Sequence, residues 1–404
     1  MEVIVINRIF MDIIKKSKLI AIRVITFIDR SIYLLFKAVT KVDKSLIIFE
    51  GQMGRFDESS WVLYHHLKKK GKYKFVWMVK NPDKYISTED TKFISRYHRT
   101  FNFIADYYYA KAAYSFYTHT TSTIKYKRPG QTIIFIGHGY AIKGHKGSGS
   151  SYHNFDYALA TGKEAMATQA IFIGCDKSKM LPLGLPRNDM LKQNSKPGNE
   201  NPIVQGREFS KVIIWMPTFR ESKTNLSEER CATETGLSLF DTPEKVEKLN
   251  DLLHSYNCAV ILKIHRLQLE KETFKRKFSN IIIISDSVID KLGLQLYQFI
   301  GLSDALLTDY SSVSIDYLLL DKPIGYILSD IDLYLKDRGF TSNDPRDVMA
   351  GEFIYKVDEA YNFIRNVVAG TDNYIKMRES LCNRLHVAQN GDSCELICEY
   401  FGIK

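Results

Sequence analysis

Short apolar runs bounded by glycine, proline or charged residues recur along the chain, and between them lie stretches whose apolar positions repeat at helical spacing. The run SLIIFE, Ser45 to Glu50, is stopped by Gly51 and predicts a first buried strand. A helix is expected near Ser59 to Lys70 and a second strand over Lys74 to Val79. Phe103, Tyr107, Ala110 and Tyr114 keep helical spacing, so Phe101 to Tyr117 reads as one helix with a core-facing aromatic stripe. Thr132 to Ile136 (TIIFI) is the next strand. After residue 208 come strands at Lys211 to Met216, Cys258 to Ile264, Asn280 to Ile284, Ala305 to Leu307 and Pro323 to Leu328. Helices are expected near Pro243 to Tyr256 and Ile289 to Ile300, and another between the last two strands.

Strands and helices alternating at this spacing imply parallel βαβ units and open α/β sheets covered on both faces. Lys192 to Gly206 is rich in Asn, Ser, Pro and Gly and has almost no apolar periodicity, so the linker is expected there. The resulting division is an N-terminal Rossmann-like domain at 45–195, a linker at 196–208 and a second Rossmann-like domain at 209–404. In such open sheets, ligands bind at the carboxyl ends of the strands.

The first 44 residues stand apart. Leu19 to Val39 is apolar enough to suggest a span, but Arg23, Asp29, Arg30 and Lys37 interrupt it. Each such charge at a bilayer centre costs about 2.5 to 3.5 kcal/mol. Through residue 45 there are nine Lys/Arg against four Asp/Glu, with Arg23, Arg30, Lys37 and Lys44 every seven residues on one stripe. Ile25, Ile28, Ile32, Leu35 and Val39 fall on the other side, which predicts a basic amphipathic helix on an anionic membrane surface, or one packed on its own domain.

The 404 residues carry a formal net charge of +10, which favours anionic partners without choosing among nucleotide, polymer, nucleic acid and membrane. Six scattered cysteines form no Cys-x-x-Cys pair and read as reduced thiols, and no zinc-type spacing appears. The sequence contains no Walker string, Gly-x-Gly-x-x-Gly, Gly-x-Ser-x-Gly or His-Glu-x-x-His, which argues against an ATPase, a dehydrogenase, an α/β hydrolase and a zinc protease.

The densest candidate chemistry is the string LLTDYSSVSIDYLLLDKP, which places Ser311 and Ser312 just past a strand's carboxyl end, at the first turn of a helix. Hydroxyl donors and free backbone N–H groups there suit a phosphate. Simple N-capping by one serine, worth about 1 kcal/mol, is the plain alternative. Two serines, with Asp309 before them and Asp316 on the next turn, exceed what a cap requires. In GHGYAIKGHKG, His138 lies between glycines and Lys143 follows five residues later. An imidazole can take a proton from an attacking hydroxyl near neutral pH, and a nearby ammonium can offset phosphate charge. Thr218 and Arg220, Lys263 with His265, and Arg187 add donors and cations at expected strand ends or loops.

In order and wording these pieces resemble the CDP-glycerol glycerophosphotransferases that build teichoic acids and related capsular polymers. The resemblance covers about residues 45 to 400 and rests on GHGYAIKG, LGLPRNDML, WMPTFRES, LKIHR, the TDYSS-x-x-x-D-x-x-x-x-DKP string, DRGF and NGDSCELICEY. It implies a GT-B architecture: two Rossmann-like domains facing a cleft, with a terminal helix returning to the first. It implies catalytic roles for His138, as base, and His265. Donor contacts are implied for Gly139, Lys143, Arg187, Thr218, Arg220, Lys263, Ser311, Ser312 and Asp316. The implied reaction moves an alditol phosphate from a CDP-linked donor to a polymer or lipid-linked acceptor, on the cytoplasmic face of the cell membrane. No nucleic acid partner, tightly bound cofactor or protein metal cage is expected, although free Mg²⁺ could assist through the diphosphate. Where the family usually has Trp-His-Gly-Thr-Pro this chain has Gly137 to Ala141, so glycerol, ribitol and other phosphopolyols stay open. The rivals are a nucleotide-sugar glycosyltransferase of the same fold and a non-enzymatic polyanion- or membrane-binding module.

Overall fold

The computed structural model describes residues 17, 24, 27–28, 30–95, 103–118, 127–137, 139–144, 154–218, 233–264, 269, 271–337 and 339–404. They pack as two compact units. One comprises the described residues within Met1–Gly137 and His153–Tyr157, the other those within His138–Tyr152 and Ala158–Lys404.

In the first unit, β1 (Asp43–Glu50) lies between β2 (Lys74–Val79) and β4 (Ala112–Tyr117), β3 (Thr91–Ser95) pairs with β2, and β5 (Thr132–Phe135) pairs with β4. All run parallel. Phe49, central in β1, stacks on Trp77 at 5.3 Å and on Phe116 at 5.5 Å, so strands rich in aromatics fill the space that helix Glu58–Lys70 closes. The helix expected over Phe101 to Tyr117 is instead helix Phe103–Lys111 followed directly by β4. The segment AAYSFY fills the slot between β1 and β5, where the gain from ladder pairing outweighs a continued helical period.

Residues 30–39 are helical. The side that packs is set by Tyr33, which is buried and reaches Gln131 at 3.4 Å, and by Phe36, edge-on to Tyr107 at 5.5 Å. The exposed apolar positions are Val24, Phe27, Leu34, Leu35 and Val39, with Phe27 71% and Leu35 61% exposed. Ile28 and Ile32 are half-buried, so the exposed stripe is rotated from the expected one. Ile25 lies outside the described residues. No helix among the described residues is long and apolar enough to cross a membrane.

In the second unit, six parallel strands run in the order β10 (Ile281–Ile284), β9 (Cys258–Lys263), β8 (Lys211–Met216), β11 (Ala305–Thr308), β12 (Ile324–Ile327), β13 (Glu352–Ile354). Helices Pro243–Ser255 and Val357–Ala369 cover one face through Val246, Leu249, Phe363 and Ile364, packed on Ile213, Val260 and Leu307. A further parallel pair, β6 (Tyr157–Ala160) with β7 (Met180–Pro182), belongs here from Ala158 onward. The α/β, GT-B-type expectation of two Rossmann-like parallel sheets is met.

Residues 158–193 pack with the C-terminal part. The segment expected as a linker is tied down by short 3₁₀ turns at Gly198–Glu200 and Pro202–Val204, with Asn201 buried and donating to the Leu302 carbonyl at 3.0 Å. Its polar composition serves these local turns. The single helix expected near Ile289 to Ile300 is two, Asp286–Lys291 and Leu296–Gly301, separated at Gly293, whose φ is +68°.

Candidate functional site

The site is built around the carboxyl ends of β8 and β11. Thr308 ends β11 and hydrogen-bonds across to the Met216 carbonyl at 2.8 Å, fixing the register of the two strand ends. The next residue, Asp309, is buried and accepts from Thr218 twice, from the backbone N–H at 2.8 Å and from the hydroxyl at 2.6 Å. Thr218 thus reaches the seat through Asp309. Tyr310 turns inward, where its ring lies 4.5 Å from Tyr334 and 5.1 Å from Phe340 and its hydroxyl donates to Asp330 at 3.0 Å.

Ser311 and Ser312 follow, both partly exposed. Ser312 is the N-cap of helix Val313–Tyr317 but makes no side-chain capping bond. The Ser311 carbonyl accepts from the Ser314 hydroxyl at 2.9 Å, while neither the Ser311 nor the Ser312 hydroxyl bonds to any described residue. A capping serine would use its oxygen on the helix's own N–H groups. Here both hydroxyls stay available to a ligand. The helix is only five residues long, so donor groups rather than a macrodipole make this seat.

The segment after His138 lies in the same unit. Lys143 forms an antiparallel bridge with Phe340, Gly144 N–H donates to the Gly339 carbonyl at 2.8 Å, and Thr341 N–H to the Ile142 carbonyl at 2.9 Å. Phe340 also packs on Tyr310. Two distant strings, GHGYAIKG and DRGF, are therefore stitched together beside TDYSS.

Arg187 and Asp316 are brought into direct contact. Helix Pro186–Gln193 carries Arg187, 4% exposed, whose Nη2 lies 2.7 Å from Oδ2 of Asp316, which has no exposed surface. Asp316 also accepts from Tyr297 Oη at 2.6 Å and Asn188 Nδ2 at 3.1 Å. Two neutral donors and a guanidinium thus satisfy this buried carboxylate. Next along the same helix, Asp189 accepts from the N–H groups of Ser393 at 2.9 Å and Cys394 at 2.8 Å, capping the terminal helix Ser393–Phe401. Gly184, with φ +76°, lies so close to that helix that a Cβ would fall 2.5 Å from the Ser393 hydroxyl. The strings LGLPRNDML and NGDSCELICEY are two sides of one packing contact.

Lys263 stands apart, at the end of β9, with its ammonium 3.0 Å from Asp286. His138, His265 and Arg220 lie outside the described residues. Sequence reasoning missed Tyr297, Asn188, His386 and Arg378. The His386 Nε2 lies 2.8 Å from the Ile315 carbonyl, and burial pushes the imidazole's pKa below its ordinary value against the opposing pull of Asp316. Arg378 is buried and chelated by Asp372 at 2.6 Å and Asp321 at 3.0 Å. Tyr297 and Arg378 fall in helices outside any motif, His386 just after a helix, and Asn188 inside LGLPRNDML beside the more conspicuous arginine, so only polarity at buried positions marks them. Among the described residues, no group of three or more His, Cys, Asp or Glu could hold a metal ion.

The family model described as CDP-Glycerol:Poly(glycerophosphate) glycerophosphotransferase matches residues 32–401. A teichoic acid glycerol-phosphate transferase of Staphylococcus aureus is 24% identical over 92% of this chain and 97% of its own length. A teichoic acid ribitol-phosphate primase of Bacillus spizizenii is 27% identical over 47% of this chain and 45% of its own length. The solved wall teichoic acid polymerase TagF is similar in fold, with a TM-score of 0.71 at 22% identity, covering 96% of this chain and 97% of that one.

Proposed function

Because the chain belongs to the CDP-glycerol:poly(glycerophosphate) glycerophosphotransferase family, we propose that it transfers glycerol phosphate from CDP-glycerol to a hydroxyl of a cell-envelope polymer or lipid-linked acceptor. The acceptor oxygen forms a bond to the alditol-linked phosphorus, and the bond from that phosphorus to the bridging oxygen breaks. CMP leaves and a phosphodiester remains. His138 takes the acceptor's proton, and His265 serves the donor diphosphate with Arg220.

The observation that carries this reading is the pair of uncommitted hydroxyls on Ser311 and Ser312 at the end of β11, next to a Thr218 locked in place by Asp309. Donors held before the ligand arrives stabilise phosphate charge without reorganising. Lys143, bridged to Phe340 beside the seat, supplies positive charge. A divalent cation, where used, arrives with the diphosphate. Ribitol phosphate is the second reading, favoured by the similarity to a ribitol-phosphate primase.

The exposed stripe Val24, Phe27, Leu34, Leu35 and Val39 supports peripheral attachment to an anionic membrane, with Arg30 and Lys37 beside the apolar face. A lipid-linked acceptor would be met there, on the cytoplasmic side where nucleotide donors are made. The test supplies CDP-glycerol, CDP-ribitol and several nucleotide sugars and follows CMP release together with phosphodiester formation. Turnover with a nucleotide sugar alone overturns the proposal.

A further inference from the structure

Tyr297 touches the Asp316–Arg187 pair twice. Its hydroxyl donates to Asp316 Oδ2 at 2.6 Å, and its ring lies under the Arg187 guanidinium, 4.7 Å from ring centre to Cζ. With Asn188 holding the other carboxylate oxygen, both members of the buried pair are fixed in position. Few rotamers satisfy all three contacts.

What rests on this pair is Gly139. Its φ is +94°, and a Cβ built there would fall 2.2 Å from Arg187 Nη2 and 3.5 Å from Asp316 Oδ2. A Cβ there would have to push the buried guanidinium out of its contacts, so the glycine backbone lies directly on it. From the other side, Gln169 Nε2 donates to the Gly139 carbonyl at 3.1 Å. Gly139 is covalently next to His138, and Asp316 stands on the helix that begins after Ser311 and Ser312. One carboxylate therefore supports the donor seat's helix and, through Arg187, the peptide adjoining the proposed base.

Resting on the function proposed above, we propose that Tyr297 is a positioning residue for the transfer: it locks the Asp316–Arg187 pair under Gly139 and so holds the backbone that follows His138 in sequence to the helix that follows Ser311 and Ser312. Displacement of a reacting group by about 1 Å can cost about a hundredfold in rate, so a support of this kind acts on turnover rather than on donor affinity.

The test compares the full chain with Tyr297→Phe, which keeps the ring and removes the hydroxyl, and with Gly139→Ala, which disturbs the same contact from the loop side if the first variant fails to fold. CMP release from CDP-glycerol gives kcat and KM. Hydrogen exchange of the 139–144 amides reports the loop independently of activity. For Tyr297→Phe the expected result is a kcat lowered about tenfold with donor KM within about twofold, and faster exchange in 139–144. Gly139→Ala is expected to lower kcat at least as far. A folded Tyr297→Phe protein with normal kcat overturns the proposal, as does a rise in KM at constant kcat or unchanged exchange in the loop. If the wild-type chain released no CMP from any CDP-alditol, the functional reading would fall, while exchange in 139–144 would still decide whether Tyr297 supports the loop.

Discussion

Asp309 holds Thr218 by both of its donors, the N–H at 2.8 Å and the hydroxyl at 2.6 Å, and this fixes the loop after β8 against the end of β11. Asp309→Asn replaces one acceptor oxygen with an amide that must face a donor, at a cost of about 1 to 3 kcal/mol. The expected outcome is a donor KM raised about tenfold with a smaller change in kcat. Steady-state kinetics of CMP release checks this, and an unchanged KM would refute the role given to Asp309.

For Ser311→Ala combined with Ser312→Ala, the two readings of these residues separate cleanly. Capping serines would cost about 1 kcal/mol of stability each. Because neither hydroxyl caps its helix, the unfolding free energy is expected to change by less than about 0.5 kcal/mol while donor affinity falls. Denaturant titration and donor binding, measured on one preparation, decide it.

His138→Ala is expected to abolish turnover while donor binding largely survives, since a general base contributes to the transition state and little to ground-state affinity. Equilibrium binding of CDP-glycerol to the inactive variant is the measurement. A variant with near-normal turnover would move the base elsewhere.

His386 gives the fold a pH dependence of known sign. Its folded pKa is lowered by burial, and a neutral ring donating from Nε2 to the Ile315 carbonyl fits the site. Protons therefore bind the unfolded chain more readily. The contribution is present above the unfolded value of about 6.5 and is lost as pH falls through the folded value. Unfolding midpoints are expected to decline between pH 7 and 5, and His386→Gln to flatten that decline. A variant with the same slope as wild type would assign the acid sensitivity to other groups.

Leu34→Glu with Leu35→Glu places two charges on the exposed face of residues 30–39 without touching Tyr33 or Phe36. Cosedimentation with phosphatidylglycerol vesicles is expected to be lost while the unfolding midpoint holds. Sedimentation equal to that of wild type would remove the helix from the attachment surface.

Much of this fold was legible because buried parallel strands are short apolar runs: Lys74–Val79 and Lys211–Met216 have the bounds their sequence predicts. Of the strands that were not expected, β3, β6, β7 and β13 are three to five residues long and lack a distinctive period, while β4 carries a helical one. In the site, the serine pair and Thr218 were visible as donors at strand ends. The burial of Arg187 and Asp316 was not, because charge in a motif suggests a ligand as readily as an internal partner. Only the fold reveals that Asn188, Tyr297 and a glycine backbone converge on them.

The way residues 30–39 are fastened has a mechanical consequence. Arg128 Nη1 donates to the carbonyls of Lys37 at 2.9 Å, in the last turn of the helix, and Thr40 at 2.8 Å, at its exit, and the same stretch packs through Tyr33 and Phe36. Such a joint behaves as a bracket, whereas a flexible tether would let the attached body tumble. Any surface that accepts the exposed face of the helix also fixes the tilt of the first unit above it, and with that the height and heading of β1 to β5. Removing these contacts, as Arg128→Ala combined with Tyr33→Ala would, leaves the exposed face equally adhesive but uncouples its orientation from the sheet.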